Sequence, residues 1–326
     1  MKISICVPVY GVESYIARCA KSLFEQTYQD IEYVFINDCT KDRSIEVLQS
    51  VIKQYPTRAT QVKIVNHQIN KGLAGARNTG VNAADGEFIL WVDSDDSIDA
   101  TLIEKLVEKQ QQNNADIVCY DIKVLFRNYI DYYRNGDYID GKDLANQMLL
   151  GKAPHQLCGH LIRKSLYLDN GICAVEGVNQ GEDYQVMPRL AYFAQSVDTL
   201  HEVLYYYDRT TENSYSNNYS PCSCRQVMRA NKIIRDFFQN KELCFQESLM
   251  SVYPTDIANM LLYTSRFEDG TLYSEVLSEL KTIDRSTYKS VRIDKRVVLY
   301  CNNKTFVKYY SKFREALGRL IFYIIN

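Results

Sequence analysis

Three short stretches carry residues whose types and spacing could do chemistry. The first is Asp93-Ser94-Asp95-Asp96. Carboxylates packed this closely repel one another and lose solvation, so the cluster is easier to sustain when a cation joins it. Mg²⁺ and Mn²⁺ take hard oxygen ligands, commonly one or two carboxylates together with substrate phosphates. Such an ion would offset the charge of a departing diphosphate. The competing explanation is a helix start, with Ser97 or Asp99 as the cap before Leu102 and the acids favoured by the helix dipole.

The second stretch runs from Asn70 to Gly80, NKGLAGARNTG. Its small residues permit close backbone approach, and Arg77 supplies a planar fork suited to phosphate or carboxylate. It is not G-x-G-x-x-G, and Val81 stands where a phosphate-binding loop needs lysine. A helix packed tightly on a sheet explains the same residues. The third stretch is Gly181-Glu182-Asp183-Tyr184. A carboxylate here could take the proton from an attacking hydroxyl, or simply begin the amphipathic helix marked by Val186, Leu190 and Phe193. His155 and His160 are candidate metal ligands of weaker claim. Tyr205, Tyr206 and Tyr207 could stack on a sugar or fill a core.

These stretches need a scaffold, and the periodicity supplies one. Apolar runs at 2–9, 31–36, 62–65, 87–92 and 116–120 predict strands. Helical spacing follows Ser14, Asp42, Leu73 and Leu102. Strands alternating with helices imply parallel pairing with helices on both faces. Ligands then bind beyond the carboxyl ends of the strands, where Asp38 and Asp93 both fall. After residue 121 the pattern loosens. A hairpin is predicted within 126–138, helices at 142–150 and 184–194, and a strand at 203–207. Beyond Pro221 the chain reads as helices.

Taken together, the segments resemble inverting family 2 glycosyltransferases with the GT-A fold. The match covers about residues 1–215. It includes Ser4–Tyr10, Ser22–Tyr28, Phe35–Asp42, Asn70–Gly80, Gly86–Asp96 and Gly181–Tyr184, with Tyr205–Tyr207 and Ser214 as a later segment. The resemblance implies a Rossmann-like α/β architecture, a mostly parallel sheet flanked by helices. A GT-A domain would span 1–220, with a nucleotide-binding half at about 1–120 and an acceptor half at about 121–220. A helical region would fill 221–326. Pro8 and Tyr10 would line the nucleobase pocket, and Asp38 would accept a hydrogen bond from uracil. Asn70 and Arg77 would contact the nucleotide. Asp93 would sit near ribose and metal, and Asp95 would ligate the divalent cation, Mn²⁺ or Mg²⁺. Asp183 would be the general base, with Glu182 supporting it or holding the acceptor. The donor would be a UDP-sugar and the acceptor a saccharide or lipid-linked saccharide. Members often carry tryptophan near 158–161, where this chain has Cys158.

Bulk composition fits this reading. A formal net charge of −2 over 326 residues offers no general attraction to nucleic acid. The ten cysteines are scattered, and Cys222 and Cys224 do not have zinc-ligand spacing. No secretory signal or spanning apolar run is evident, so a reduced cytoplasmic setting is expected, at the inner face of the cell membrane if the tail binds there. From Arg285 to Asn326 there are ten Lys or Arg against Asp294 and Glu315. A basic segment of this kind lies on an anionic membrane or docks on the body as a helix. Two rival functions share the scaffold: a nucleotidyltransferase, which would release pyrophosphate, and a non-catalytic nucleotide-sugar binder.

Overall fold

The computed structural model describes residues 1–210, 220–301 and 303–325. The chain forms two compact units, Met1–Tyr215 and Ser216–Asn326. The first begins with β1 (Ile3–Val9), α1 (Ile16–Phe24), β2 (Ile31–Asn37), α2 (Ser44–Ile52), α3 (Pro56–Ala59), β3 (Val62–Asn66), α4 (Gly72–Ala83) and β4 (Phe88–Trp91). It continues with β5 (Ser97–Ile98), α5 (Leu102–Asn113), β6 (Ile117–Leu125), β7 (Ile130–Tyr133), α6 (Gly141–Leu149), β8 (His160–Arg163), α7 (Ser165–Asp169), α8 (Glu182–Phe193) and β9 (Val197–Asp208).

All seven residues of β1 are buried. That is why its sequence is a continuous apolar run rather than an alternating one: the strand is central and covered on both faces. The edge strand β3 is half exposed and correspondingly mixed. The strand order is β3-β2-β1-β4-β8-β6-β9-β5, with β7 paired to β6. The β3-β2-β1-β4 half is parallel throughout. The order reverses between β1 and β4, and that reversal opens a crevice at the carboxyl ends of the strands.

Beyond β4 the sheet is mixed. Strand β8 runs antiparallel to both β4 and β6, while β6 and β9 are parallel. The hairpin expected within 126–138 is the β6–β7 pair. Two strands escaped the sequence pattern. β5 is only two residues long and exists through its pairing with Tyr205 and Tyr206. β8 begins directly after a single 3₁₀ turn at Leu157–Gly159, which leaves too few residues to show a period. Ser97, a candidate helix cap, therefore lies in a strand. Helix α4 rides close on β1 and β2. A Cβ at Gly80 would lie 2.6 Å from the ring of Trp91, so small residues there are a packing requirement.

The second unit contains α9 (Pro221–Phe238), α10 (Leu243–Thr264), α11 (Thr271–Leu280), α12 (Ile293–Tyr300) and α13 (Lys304–Ile325). Its own core gathers Cys224, Ile257, Leu261, Val276, Val298 and Val307. The buried Val307 and Ser311 dock the first turns of α13. Among the described residues, no helix is long and apolar enough to cross a membrane.

Candidate active site

Asp38 follows β2 directly. Its carboxylate accepts hydrogen bonds from the backbone amides of Lys71 (2.7 Å) and Gly72 (2.8 Å), and pairs with His67 Nδ1 at 2.7 Å. Lys71, the residue capping α4, has no side-chain cap of its own. A strand-end aspartate thus supplies the missing acceptor at the positive end of the helix dipole. Asn70 closes the turn, donating from Nδ2 to Asp38 O and accepting from Gly72 N. Gly72 has φ +75°, and a Cβ there would overlap the Asn179 amide, so glycine is required twice over. Asp38 is the residue expected to accept from uracil. Asp38 is 3% exposed and protein donors occupy both its oxygens.

Arg77 projects from α4 and is also 3% exposed. Its Nη2 lies 2.9 Å from Asp93 Oδ1, 3.7 Å from Asp183 Oδ1 and 3.9 Å from Glu182 Oε1. Its guanidinium carbon stands 4.8 Å from the Trp91 ring centroid, in cation–π range. Burial works against the charge of Arg77, but Asp93, Asp183 and Glu182 outweigh it and hold the group firmly protonated. One nitrogen of the fork expected to meet a nucleotide thus faces carboxylates. Low-dielectric surroundings make that pairing the stronger demand. Among the described residues, Nε and Nη1 have no hydrogen-bond partner.

The four residues after Val92 have different fates. Asp96 is fully buried. It accepts from the Tyr205 hydroxyl (2.7 Å) and from Asp208 N (2.9 Å). Tyr205 in turn accepts from Asp93 N. Burial, then the charges of Asp95 and Asp93, push the Asp96 carboxyl well above the usual range, so it serves as an internal strut. Arg18 of α1 donates to Asp95 O and pairs with Asp208 Oδ2 at 2.8 Å. Asp95 is the acid left over. No basic side chain pairs with its carboxylate among the described residues. Burial and the neighbouring Asp93 charge push its pKa up to about 6.

Asp183 and Glu182 open α8. Burial raises Asp183, with Arg77 opposing and Asp93 adding to the shift. Burial raises Glu182 further, followed by the charge of Asp183. The pair retains a proton at pH values where isolated carboxylates have lost theirs. Glu182 is buried, which suits support of Asp183 better than contact with an acceptor. Cys158 is buried with its thiol pushed up by burial and then by Asp93, Asp183 and Asp96.

Pro8 is buried within β1, whereas Tyr10 is exposed just beyond it. His155 and His160 are held at about 4 by burial. His160 Nδ1 bonds Gln156 O, and His155 packs edge-on to Tyr184. No group of three or more His, Cys, Asp or Glu among the described residues forms a metal cage. Ser214 lies outside the described residues. Sequence reasoning missed Arg18, His67, Trp91 and Asp208, while Tyr205 fills the core, as one of its two readings had it, and contacts Asp96 and Asp93 from there. Only Asp208, a carboxylate ending a predicted strand, carried a signal comparable to that of Asp38.

Comparison with known proteins gives this arrangement relatives. The chain is 43% identical over 116 residues to the uncharacterized glycosyltransferase EpsJ of Bacillus subtilis, covering 36% of this chain and 32% of EpsJ. It is 30% identical over 209 residues to poly(ribitol-phosphate) beta-glucosyltransferase of Bacillus spizizenii, covering 64% of this chain and 32% of that protein. The matched regions thus span about a third of either relative. Residues 1–349 of S. aureus TarS, crystallised with UDP-GlcNAc, superpose with a TM-score of 0.73 at 20% identity, covering 98% of this chain and 92% of that one. This likeness shows a shared GT-A fold. The model of glycosyl transferase family 2 matches residues 4–169, which hold Asp38, Arg77 and Asp93–Asp96, and the chain belongs to that family.

Proposed function

We propose that the chain is an inverting glycosyltransferase that moves a sugar from a UDP-sugar to a hydroxyl of a saccharide or lipid-linked saccharide. One observation carries the reading. A single buried guanidinium nitrogen, Arg77 Nη2, stands 2.9 Å from Asp93, the first acid of the strand-end cluster, and 3.7 Å from Asp183 at the start of α8. This convergence of acids from segments far apart in the chain supports reading Asp93 as donor-side and Asp183 as base-side.

Asp183, with its proton affinity raised, takes the proton from the acceptor hydroxyl. The oxygen lone pair forms the new glycosidic bond. The bond from the anomeric carbon to the diphosphate breaks, and its electron pair leaves with UDP. Glu182 holds its own proton and orients Asp183. Attack from the side opposite the leaving group inverts the anomeric centre. Asp95 and Asp93 fit a divalent cation: the first has no basic partner at its carboxylate among the described residues and carries a raised pKa, the second lies two residues away and is paired with Arg77 through Oδ1, and Mg²⁺ needs few protein ligands when phosphates complete the set. Such an ion would supply charge neutralisation to the departing diphosphate. Tyr10 and Asn70, near the ends of β1 and β2, are the residues we assign to the nucleotide.

The UDP complex of the TarS relative supports uridine as the base, and the name of the Bacillus spizizenii enzyme supports a hydroxyl-rich polymer as acceptor. The test is product analysis with a panel of nucleotide sugars and acceptors, with and without Mn²⁺. UDP release matched by an inverted glycoside is expected. Pyrophosphate release from a nucleoside triphosphate would establish nucleotidyl transfer instead. Donor binding without turnover on any acceptor would leave only a binding protein.

A further inference from the structure

The second unit has apolar surface that its own core does not use. On α13, Phe306, Tyr309, Phe313 and Leu317 are all exposed, Phe313 to 62% and Tyr309 to 67%. Their spacing of three, then four and four, puts them on one stripe of the helix. The buried Val307 and Ser311 lie on a different face. On α12, Ile293 (75% exposed), Val297 and Tyr300 form a second stripe, opposite the buried Val298 and Leu299. The two helices are pinned together where Arg314 Nη2 meets Asp294 Oδ2 at 2.5 Å and the Tyr310 hydroxyl donates to Asp294 O. Ile293 neighbours Asp294 in the chain and Phe313 neighbours Arg314, so both stripes border this junction.

The charge around the stripes has one sign. Asp294 is consumed by Arg292 and Arg314, and Glu315 by Arg266. Arg285, Lys289, Lys308 and Lys312 form no ion pair with a carboxylate among the described residues. Apolar aromatic side chains beside uncompensated cations match the interface of an anionic bilayer, where rings enter the headgroup region and basic groups meet lipid phosphates.

We infer that the α12–α13 face of the second unit docks on an anionic membrane surface, with Phe306, Tyr309, Phe313 and Ile293 as the inserting groups and Lys308 and Lys312 among the electrostatic contacts. A second copy of the chain would use the apolar stripes but would bring the same positive charge against itself, which disfavours it. The inference is independent of the transfer chemistry.

Flotation of the full chain tests it, using vesicles of phosphatidylcholine alone or with roughly one third phosphatidylglycerol. Flotation with the anionic vesicles only, reduced by high salt, is expected. Lys308→Gln with Lys312→Gln should lower partitioning by about fivefold per residue. Phe313→Ser should lower it by about tenfold or more. Phe313 and Lys312 are exposed and Lys308 is half-buried, so the variants should keep the wild-type melting curve, which is measured alongside. Absence of flotation, equal flotation on both vesicle types, or wild-type flotation by folded variants would overturn the inference. So would light scattering showing a dimer that Phe313→Ser dissolves while vesicle binding is absent, since the face would then belong to a second copy.

Discussion

Replacing Arg77 by methionine removes a charge but keeps an unbranched side chain to pack on Trp91. Three carboxylates lie within 3.9 Å of Arg77 Nη2, and the arginine is 3% exposed. Removing one partner of a buried pair leaves uncompensated charge and costs about 3–5 kcal/mol. At about 2–4 °C per kcal/mol for a unit of this size, the thermal midpoint should fall by on the order of 10 °C at pH 8. The loss must depend on pH in a defined direction. Burial already raises Glu182 and Asp183, and Arg77 opposes both shifts. Without Arg77 both rise further. An acid whose folded pKa exceeds its unfolded value is best tolerated below the unfolded value, and stability is lost as pH rises through the folded pKa. The deficit should therefore be small near pH 5 and full at pH 8. Arg77→Lys restores the charge without the planar fork, so it should remove most of this pH dependence while still melting below wild type. Paired melting curves of the three proteins at pH 5 and pH 8 make the check. A methionine variant whose deficit is equal at both values would refute the argument that Arg77 acts by charge compensation.

Four further outcomes are expected. Asp183→Asn should keep donor KM while lowering kcat by about 10²–10⁴-fold, measured by UDP release, and an unimpaired kcat would remove Asp183 as base. Wild-type kcat/KM should lose activity on an acid limb well above the ordinary carboxylate range, because burial raises Asp183 and only the ionised form accepts a proton; a limb near pH 4 would contradict this. Asp95→Ala should abolish the Mn²⁺-dependent part of UDP binding by calorimetry and leave the fold intact, since no basic side chain among the described residues pairs with the Asp95 carboxylate. Gly72→Ala should destabilise by about 1–3 kcal/mol, because φ is +75° and the new methyl meets Asn179. A denaturation midpoint matching wild type would show that the turn relaxes freely.

What the sequence by itself determined was local. The buried run of β1 and the helical spacing of α1 and α4 are set by which residues flank one another, and a period is visible over seven to twelve positions. The order of the three chemical stretches, and their place just past strand ends or at a helix start, were legible for the same reason. Tertiary structure alone decided which of several identical groups does what. Asp95 and Asp96 are chemically equal neighbours, yet Asp96 is spent on Tyr205 and Asp208, more than a hundred residues away, while Asp95 keeps an uncompensated carboxylate. That the Lys71 and Gly72 amides would reach the Asp38 carboxylate was not legible from its sequence neighbours. Nor did spacing show that Asp93 and Asp183 would meet Arg77 from two other segments. Strands β5 and β8 are too short to have a period and form only because their partners are already in place. Spacing along the chain encodes which face a side chain takes, but burial and electrostatic pairing are set by what arrives from elsewhere, and those decide which acid is left to do chemistry.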